Sequence, residues 1–226
     1  KPSLLRRASL ALTGLPPTAE ELRAFLEDQS SEAWISVIDR LMDSPQYGER
    51  WGRHWLDVAG YADSEGSSNN DANRQWAYKY RDWVIKAIGS DMPFDQFITW
   101  QLAGDELVEP PYKNMSASEI EKLTATGYLR MASDGTGQVD NEEKRNQVVI
   151  DTVKIVSTGL LGMSVGCAQC HDHRYDPISH EDYYRMRAVF EPALNPKRWK
   201  VPGNRAVSLY TDEDHAKAAE IEAKAQ

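Results

Sequence analysis

The sequence SVGCAQCHDHRYDPISHEDYY, residues 164–184, contains both cysteines of a 226-residue chain and three of its five histidines. Two residues separate Cys167 from Cys170, and His171 follows directly. The pattern C-x-x-C-H is the attachment signature of c-type haem, in which two thiols form thioethers with the vinyl groups of the porphyrin. The histidine then ligates the iron from one side of the ring. The stretch therefore predicts one covalently attached haem c per chain, around which the fold must be built.

A C-x-x-C pair also occurs in two other kinds of site. A thiol–disulfide redox pair usually belongs to a βαβ unit, whereas the apolar periodicity of this chain is helical almost throughout. A zinc site would need Cys167, Cys170, His171 and His173 together, although structural zinc sites usually take a second pair of ligands from farther along the chain. The pattern therefore favours haem attachment over zinc binding, thiol redox chemistry or a chance pair of buried cysteines.

The second axial position of the iron has several candidates. His54, in the aromatic-rich segment RWGRHWLDV, is the first candidate for iron ligand or distal-pocket residue. The alternative for this histidine is a place in the core, hydrogen-bonded to a carbonyl or to Asp57. A methionine ligand would raise the redox potential, and an open position would let the iron bind peroxide beside an acid–base group. The methionine candidates are Met131, Met163 and Met186.

The residues that follow the motif are candidates for contacts with the haem propionates. They offer hydrogen-bond donors and positive charge to two carboxylates. Asp172 and Asp176 are expected to cap the local turn, since their spacing does not match a calcium-binding EF-hand loop. The candidates for propionate contact are His173, Arg174 and Tyr175.

The composition limits the partners of the chain. The formal net charge is −9, and an acidic surface repels nucleic acid and anionic membranes while it attracts basic proteins. No apolar run has the length of a membrane span. The chain begins abruptly and ends inside a helical run, so we expect a piece of a longer precursor, and the lack of a signal peptide in this segment does not argue for the cytoplasm. The predicted partners are a redox protein or neighbouring domains of the same precursor.

Apolar residues at helical spacing predict a mostly α-helical fold. Thr18 and Glu21 have the spacing of a capping box, which predicts a helix start. The connector NPKRWKVPGNRAV separates a helical haem domain at 1–195 from a connector or tail at 196–226, where RAVSLY is the one candidate strand. Further helices are predicted at 74–88, 93–103, 116–131, 142–161 and 179–190.

The motif stands late in the chain, because 166 residues precede Cys167. Small cytochromes c carry C-x-x-C-H near the start of a much shorter chain. We therefore expect an irregular multi-helix domain wrapped around the haem, and not the small cytochrome c fold. Its distal wall is expected from the helices at 51–61 and 76–88.

Two polar segments, DSEGSSNND and SDGTGQVDN, carry oxygen ligands that a cation prefers. Neither has a spacing that is specific for a cation site. Both are therefore expected to be solvated loops.

Four long motifs are similar to a known family. LTGLPPTAEEL, YGERWGRHWLDVAGYADS, YRDWVIKAIGSDMPFDQFITWQLAGDEL and GCAQCHDHRYDPISHEDYY resemble the DUF1549 domain, also called planctomycete cytochrome domain 2 or PSCyt2, over about residues 2–192. This domain occurs in large exported planctomycete proteins, often after a first cytochrome module and before a DUF1553 domain. The resemblance implies a c-type haem carried outside the cytoplasm, and it implies no known reaction.

The favoured hypothesis is an electron-transfer cytochrome domain of a large exported, periplasmic protein. It predicts a low-spin iron with two protein ligands. The alternative is a haem enzyme with an open sixth site and peroxidase-like or other oxidative activity. A zinc or thiol-redox module is the least favoured hypothesis and predicts no visible absorption.

Overall fold

The computed structural model describes residues 1–66 and 71–225. Within these residues the regular structure is α-helix with short 3-10 turns, and the β contact is an isolated antiparallel bridge between Ser64 and Asn73. The prediction of a mostly α-helical fold is confirmed. Of the helices described, none is both long and apolar enough to cross a membrane. The helices are α1 (Pro2–Leu12), α2 (Ala19–Glu27), α3 (Ala33–Met42), α4 (Pro45–Ala59), α5 (Ala77–Gly89), α6 (Phe94–Ala103), α7 (Ala117–Ala125), α8 (Glu142–Leu161), α9 (His180–Val189) and α10 (Asp212–Ala225).

The chain divides into two compact units. The first comprises Lys1–Asp57 and Arg81–Phe97. The second comprises Val58–Tyr80 and Ile98–Gln226, and it contains the C-x-x-C-H motif.

In the first unit, α1, α2 and α3 share an apolar core, to which each contributes one side of its surface. The predicted capping box of α2 is confirmed. The Glu21 amide donates to the Thr18 hydroxyl, and the Thr18 amide donates to the Glu21 carboxylate at 2.7 Å. The core side chains are Leu5, Phe25, Ala33, Val37 and Leu41.

Also in the first unit, α4 approaches α5 closely because Gly48 has no side chain. A Cβ atom at Gly48 would lie 2.6 Å from the carbonyl oxygen of Ile85, which no real side chain tolerates. Phe97 stacks on Trp83 with 5.2 Å between the ring centroids and meets Trp55 edge-on at 4.9 Å. These aromatic residues therefore form a packed cluster within the unit.

In the second unit, α8 carries a buried stripe that includes Val149, Val153 and Val156. The helix ends at Leu161 and is capped by Gly162, whose φ of 63° is left-handed. Glycine adopts this conformation without strain and commonly ends helices in this way. A 3-10 turn at Val165–Gln169 and helix α9 then pack against α8.

A buried ionic network joins distant loops of the second unit. The guanidinium of Arg74 lies 2.7 Å from the Glu65 carboxylate and donates to the carbonyl oxygens of Met131 and Ala132. The same carboxylate accepts the amide of Asp134 at 2.7 Å. Glu65 belongs to the polar segment DSEGSSNND, of which residues 67–70 lie outside the described part of the chain.

The segment after residue 195 is held to this network. Arg205 Nη1 lies 2.5 Å from the carboxylate of Asp134, and the Trp199 indole donates to the Thr136 hydroxyl at 2.9 Å. The Asp134 side chain is only 5% exposed. The prediction of a solvated loop for SDGTGQVDN holds for Ser133 and for residues 137–141, which are exposed, and is wrong for Asp134 and Thr136, which are buried.

Other differences from the sequence predictions lie at helix ends and in the tail. RAVSLY is not a strand, since residues 206–210 have no regular structure and no partner strand occurs among the described residues. The helix predicted to reach Met131 ends at Ala125 and continues as the 3-10 turn Thr126–Arg130. Helix α1 is not among the helices predicted from the sequence.

Candidate attachment site at Cys167, Cys170 and His171

The motif lies on and just after the 3-10 turn Val165–Gln169 of the second unit. Val165 and Ala168 are buried and fix the turn against its neighbours. Cys167 and Cys170 are both exposed, and both thiols are free. The turn therefore buries its small apolar residues and leaves the two sulfur atoms accessible.

His171 is exposed and has its ring oriented by the chain itself. Its Nδ1 lies 2.7 Å from the carbonyl oxygen of Asp172. A carbonyl oxygen only accepts hydrogen bonds, so Nδ1 carries the hydrogen and Nε2 of the neutral ring keeps its lone pair. Metal-ligating histidines usually have this arrangement, in which the other ring nitrogen donates to a carbonyl or a carboxylate.

His173, two residues later, is engaged through both ring nitrogens. Nδ1 accepts the backbone amides of Tyr175 at 3.2 Å and Asp176 at 2.9 Å, so Nε2 donates to the Ser164 hydroxyl at 3.0 Å. Its side chain is only 6% exposed. This imidazole holds the loop in shape, and its predicted contact with a propionate stays a prediction.

The start of α9 is tied to the turn by two further bonds. The His180 amide donates to the Asp172 carboxylate at 2.8 Å, and the ring Nε2 of His180 donates to the Gln169 carbonyl at 2.9 Å. Ser179 caps the helix in a capping box with Asp182. No helix follows His171 directly, and the eight residues 172–179 form a hydrogen-bonded loop before α9 begins at His180.

Arg174 and Tyr175 project from this loop into solvent. The guanidinium carbon of Arg174 lies 5.5 Å from the centroid of the Tyr175 ring, and Tyr175 is 83% exposed. Their predicted contacts with the haem propionates stay a prediction. Both side chains are accessible to a ligand or to a partner protein.

An open groove of about 280 Å³ lies beside the turn. It brings together two of the three methionines considered as iron ligands, Met163 and Met186. The third, Met131, is buried in the core. The other lining residues are Leu161, Val165, Pro177, Ile178 and Asp182.

His54 belongs to the first unit, on α4. Its ring is exposed and meets Trp51 edge-on, with 5.5 Å between the centroids. Its role as sixth ligand or distal-pocket residue stays a prediction, as does a distal wall formed by α4 and α5.

The residues around the motif fit a covalently attached haem. Such a group requires two thiols and an iron ligand, and the site offers two exposed thiols and an imidazole with a free Nε2 lone pair. An open groove adjoins them. A zinc site would require His173 to leave three hydrogen bonds. Among residues 1–66 and 71–225, no group of three or more His, Cys, Asp or Glu side chains is arranged to hold a metal ion.

The fold and the motif define a helical domain that presents a C-x-x-C-H sequence on an exposed turn. The chain belongs to the DUF1549 family, PSCyt2, described as a protein of unknown function, whose model matches residues 1–194. This confirms the resemblance seen in the sequence motifs. A search of curated proteins and a search of solved structures each gave no significant match.

Proposed function

We propose that this domain carries one haem c, bound through Cys167 and Cys170, and transfers electrons within a large exported protein. The observation that supports it best is the state of His171, an exposed imidazole whose Nδ1 hydrogen is held by a carbonyl. Nε2 is thereby kept ready to ligate iron directly beside two free thiols. The family name, PSCyt2, agrees with a cytochrome domain.

The residues of the chain would do the following work. Cys167 and Cys170 hold the porphyrin by two thioether bonds, and His171 binds the iron. His173 keeps the loop closed behind them through its bonds to the backbone and to Ser164. The attached haem supplies a one-electron exchange between ferric and ferrous iron.

The exposure of the site favours transfer to another protein over chemistry in a closed pocket. Cys167, Cys170, His171, Arg174 and Tyr175 are all exposed. An attached group would thus be accessible, and the net charge of −9 favours a basic redox partner or a basic neighbouring domain. Because haem c is attached after export, the proposal also places the domain outside the cytoplasm.

The test is production in a periplasm with cytochrome c maturation proteins, followed by a haem stain of a denaturing gel and absorption spectra with and without cyanide. We expect haem that survives denaturation, and sharp low-spin bands that cyanide does not change. The double variant Cys167→Ala/Cys170→Ala should lose the stain. His171→Ala should lose the low-spin bands, whereas the control His215→Ala, in the exposed α10, should keep them.

The sixth ligand is assigned by the same spectra on single variants. His54→Ala, Met131→Ala, Met163→Ala and Met186→Ala each remove one candidate, and the ligand is the residue whose loss gives high-spin bands. High-spin bands in the unmodified protein, shifted by cyanide, would instead indicate the alternative function, a haem enzyme with an open site. No bound haem, while a control cytochrome matures in the same cells, would refute the proposal and make zinc analysis the next step.

A further inference from the structure

Residues 195–212, here called the strap, lead from the end of the helical core to α10, and they are bonded to the second unit along their length. At the start of the strap, the Arg145 guanidinium donates to the carbonyl oxygen of Pro196 at 2.7 Å. Trp199 and Arg205 make the contacts described above, and the Arg205 guanidinium carbon lies 4.7 Å from the centroid of the Trp199 ring. The first part of the strap is therefore held by a hydrogen bond, an ion pair and a ring contact.

The far end of the strap is held by Asn114, in the loop before α7. The side-chain Nδ2 of Asn114 donates to the Asp212 carboxylate at 2.8 Å. In return, the Asp212 amide donates to Asn114 Oδ1 at 2.8 Å. Asn114 has a left-handed φ of 51°, which asparagine tolerates better than most residues. This reciprocal pair joins residues 98 apart and fixes the first residue of α10 to the domain.

Helix α10 is stabilised by its own side chains and not by burial. The Asp214 amide donates to the Thr211 hydroxyl at 3.1 Å, and the Thr211 amide donates to the Asp214 carboxylate at 2.9 Å. One turn later, Lys217 pairs with Glu213 at 2.8 Å. None of the residues Asp212–Ala225 is buried. A capping box and an i,i+4 ion pair thus support a helix that projects from the domain.

The strap also differs in composition from a flexible linker. Flexible linkers are rich in glycine and serine, whereas residues 195–212 contain one glycine, one serine and two prolines. Two 3-10 turns, Pro196–Arg198 and Pro202–Asn204, each begin with one of these prolines. Proline fixes its own φ and so restricts the chain at both turns.

We infer that the strap belongs to the folded domain, although it lies beyond the residues 1–194 that the family model matches, and that through Asn114 it holds α10 as a rigid arm. The arm has 14 residues, which gives a length of about 21 Å. A protein segment joined to its far end would keep a fixed distance from the domain, whereas a flexible linker would let that distance vary. This inference goes beyond the proposed function and does not depend on haem.

The experiment measures the distribution of distances between two nitroxide labels, at Ser118 in α7 and at Glu220 in α10, by pulsed electron paramagnetic resonance. The full chain is used without haem, and the labels are attached through unnatural amino acids, because Cys167 and Cys170 would react with a thiol label. We expect one narrow distribution for the wild type. Asn114→Gly removes both bonds of the reciprocal pair and keeps the left-handed conformation without strain.

Each hydrogen bond favours its closed state about twofold to tenfold, so Asn114→Gly should raise the ratio of detached to attached α10 about fivefold to a hundredfold and broaden the distribution. The matched control is Asp91→Gly, since Asp91 has a similar left-handed φ of 52° and lies in the first unit. This control should keep the narrow distribution. If Asn114→Gly does not fold, Asp212→Ala removes one of the two bonds and should broaden the distribution less.

A broad distribution in the wild type would overturn the inference, because the arm would then move despite its bonds. An unchanged distribution in the Asn114 variant, or in the Asp212 variant that replaces it, would also overturn the inference. Equal broadening by Asp91→Gly would overturn it as well, since the effect would then be unspecific. Because the measurement needs no haem, a chain that never acquires haem refutes the proposed function alone.

Discussion

Replacing Arg205 by methionine would remove the charged partner of Asp134 and keep most of the apolar stem of the Arg205 side chain. Nη1 of Arg205 lies 2.5 Å from the carboxylate, whose side chain is only 5% exposed. Removing one partner of a buried ion pair destabilises a protein by about 3–5 kcal/mol, because the other charge is left without compensation. We place Arg205→Met at the lower end, about 3 kcal/mol, for two reasons. The guanidinium is 17% exposed, and the carboxylate keeps the two donors of Thr136 at 2.9 and 2.5 Å.

The expected result is a clear fall in the thermal unfolding midpoint, which is measured by circular dichroism. A protein of this length loses about 2–4 °C per kcal/mol, which gives about 6–12 °C. Hydrogen exchange of residues 133–139 should become faster, since this segment holds the unpaired carboxylate. The matched control is Arg185→Met, which breaks exposed ion pairs with Glu181 and Asp182 and should remove less than about 1 kcal/mol.

The double variant Asp134→Asn/Arg205→Met separates charge from packing. Removing the carboxylate charge as well should restore part of the lost stability, because the cost of an unpaired buried charge disappears. A midpoint within 2 °C or so of wild type for Arg205→Met, or an equal fall for Arg185→Met, would refute the assignment of this pair as a strong tether.

Three further predictions concern a close contact, a buried histidine and a helix cap. Gly104→Ala would place a Cβ 2.2 Å from the carbonyl oxygen of Lys122, so we expect a loss of about 3 kcal/mol or an insoluble product; wild-type solubility and urea midpoint would contradict this. His173→Ala should lose about 2 kcal/mol in urea unfolding, because the largely buried ring gives up three hydrogen bonds. The exposed His171→Ala should stay within about 0.5 kcal/mol, and equal losses would refute the structural role. A hydrogen bond from the N-cap amide of α2 holds the pKa of Glu21 below its ordinary 4.5, so the folded state binds this proton less readily than the unfolded state. The ionised Glu21 carboxylate contributes fully to the free energy of unfolding above pH 4.5, and this contribution disappears as the pH falls through the lowered pKa. Glu21→Gln should therefore make the free energy of unfolding depend less on pH in acid. An unchanged pH dependence would show that this cap contributes nothing.

The helices were predictable where local signals agree. Both bounds of α8 follow from the apolar periodicity between a polar loop and Gly162, and the start of α2 follows from the reciprocal spacing of Thr18 and Glu21. Such signals act over three or four residues, so a linear sequence contains all the information they need.

The buried ionic network could not be predicted in this way. Arg205 and Asp134 are 71 residues apart, and Arg74 and Met131 are 57 apart. No spacing rule relates such positions. Their burial depends on which loops the folded chain brings together, which is a tertiary property.

At the candidate attachment site, the residue types predict a chemistry, and the structure adds the local geometry of each side chain. C-x-x-C-H is sufficient to single out Cys167, Cys170 and His171. It does not show that His173 is tied to the backbone. Motif spacing cannot supply that information, because it depends on which way the ring faces in the folded loop.

The hydrogen bonds that shape the motif are short in sequence. Ser164 with His173, Asp172 with His180 and Gln169 with His180 span 9, 8 and 11 residues. Contacts of such low sequence separation require little loop closure and form early in folding. The thiols and the imidazole are thus arranged by one continuous segment. Under the proposed function, a maturation enzyme would meet both thiols and the imidazole on this one segment, whose internal hydrogen bonds do not involve distant parts of the chain.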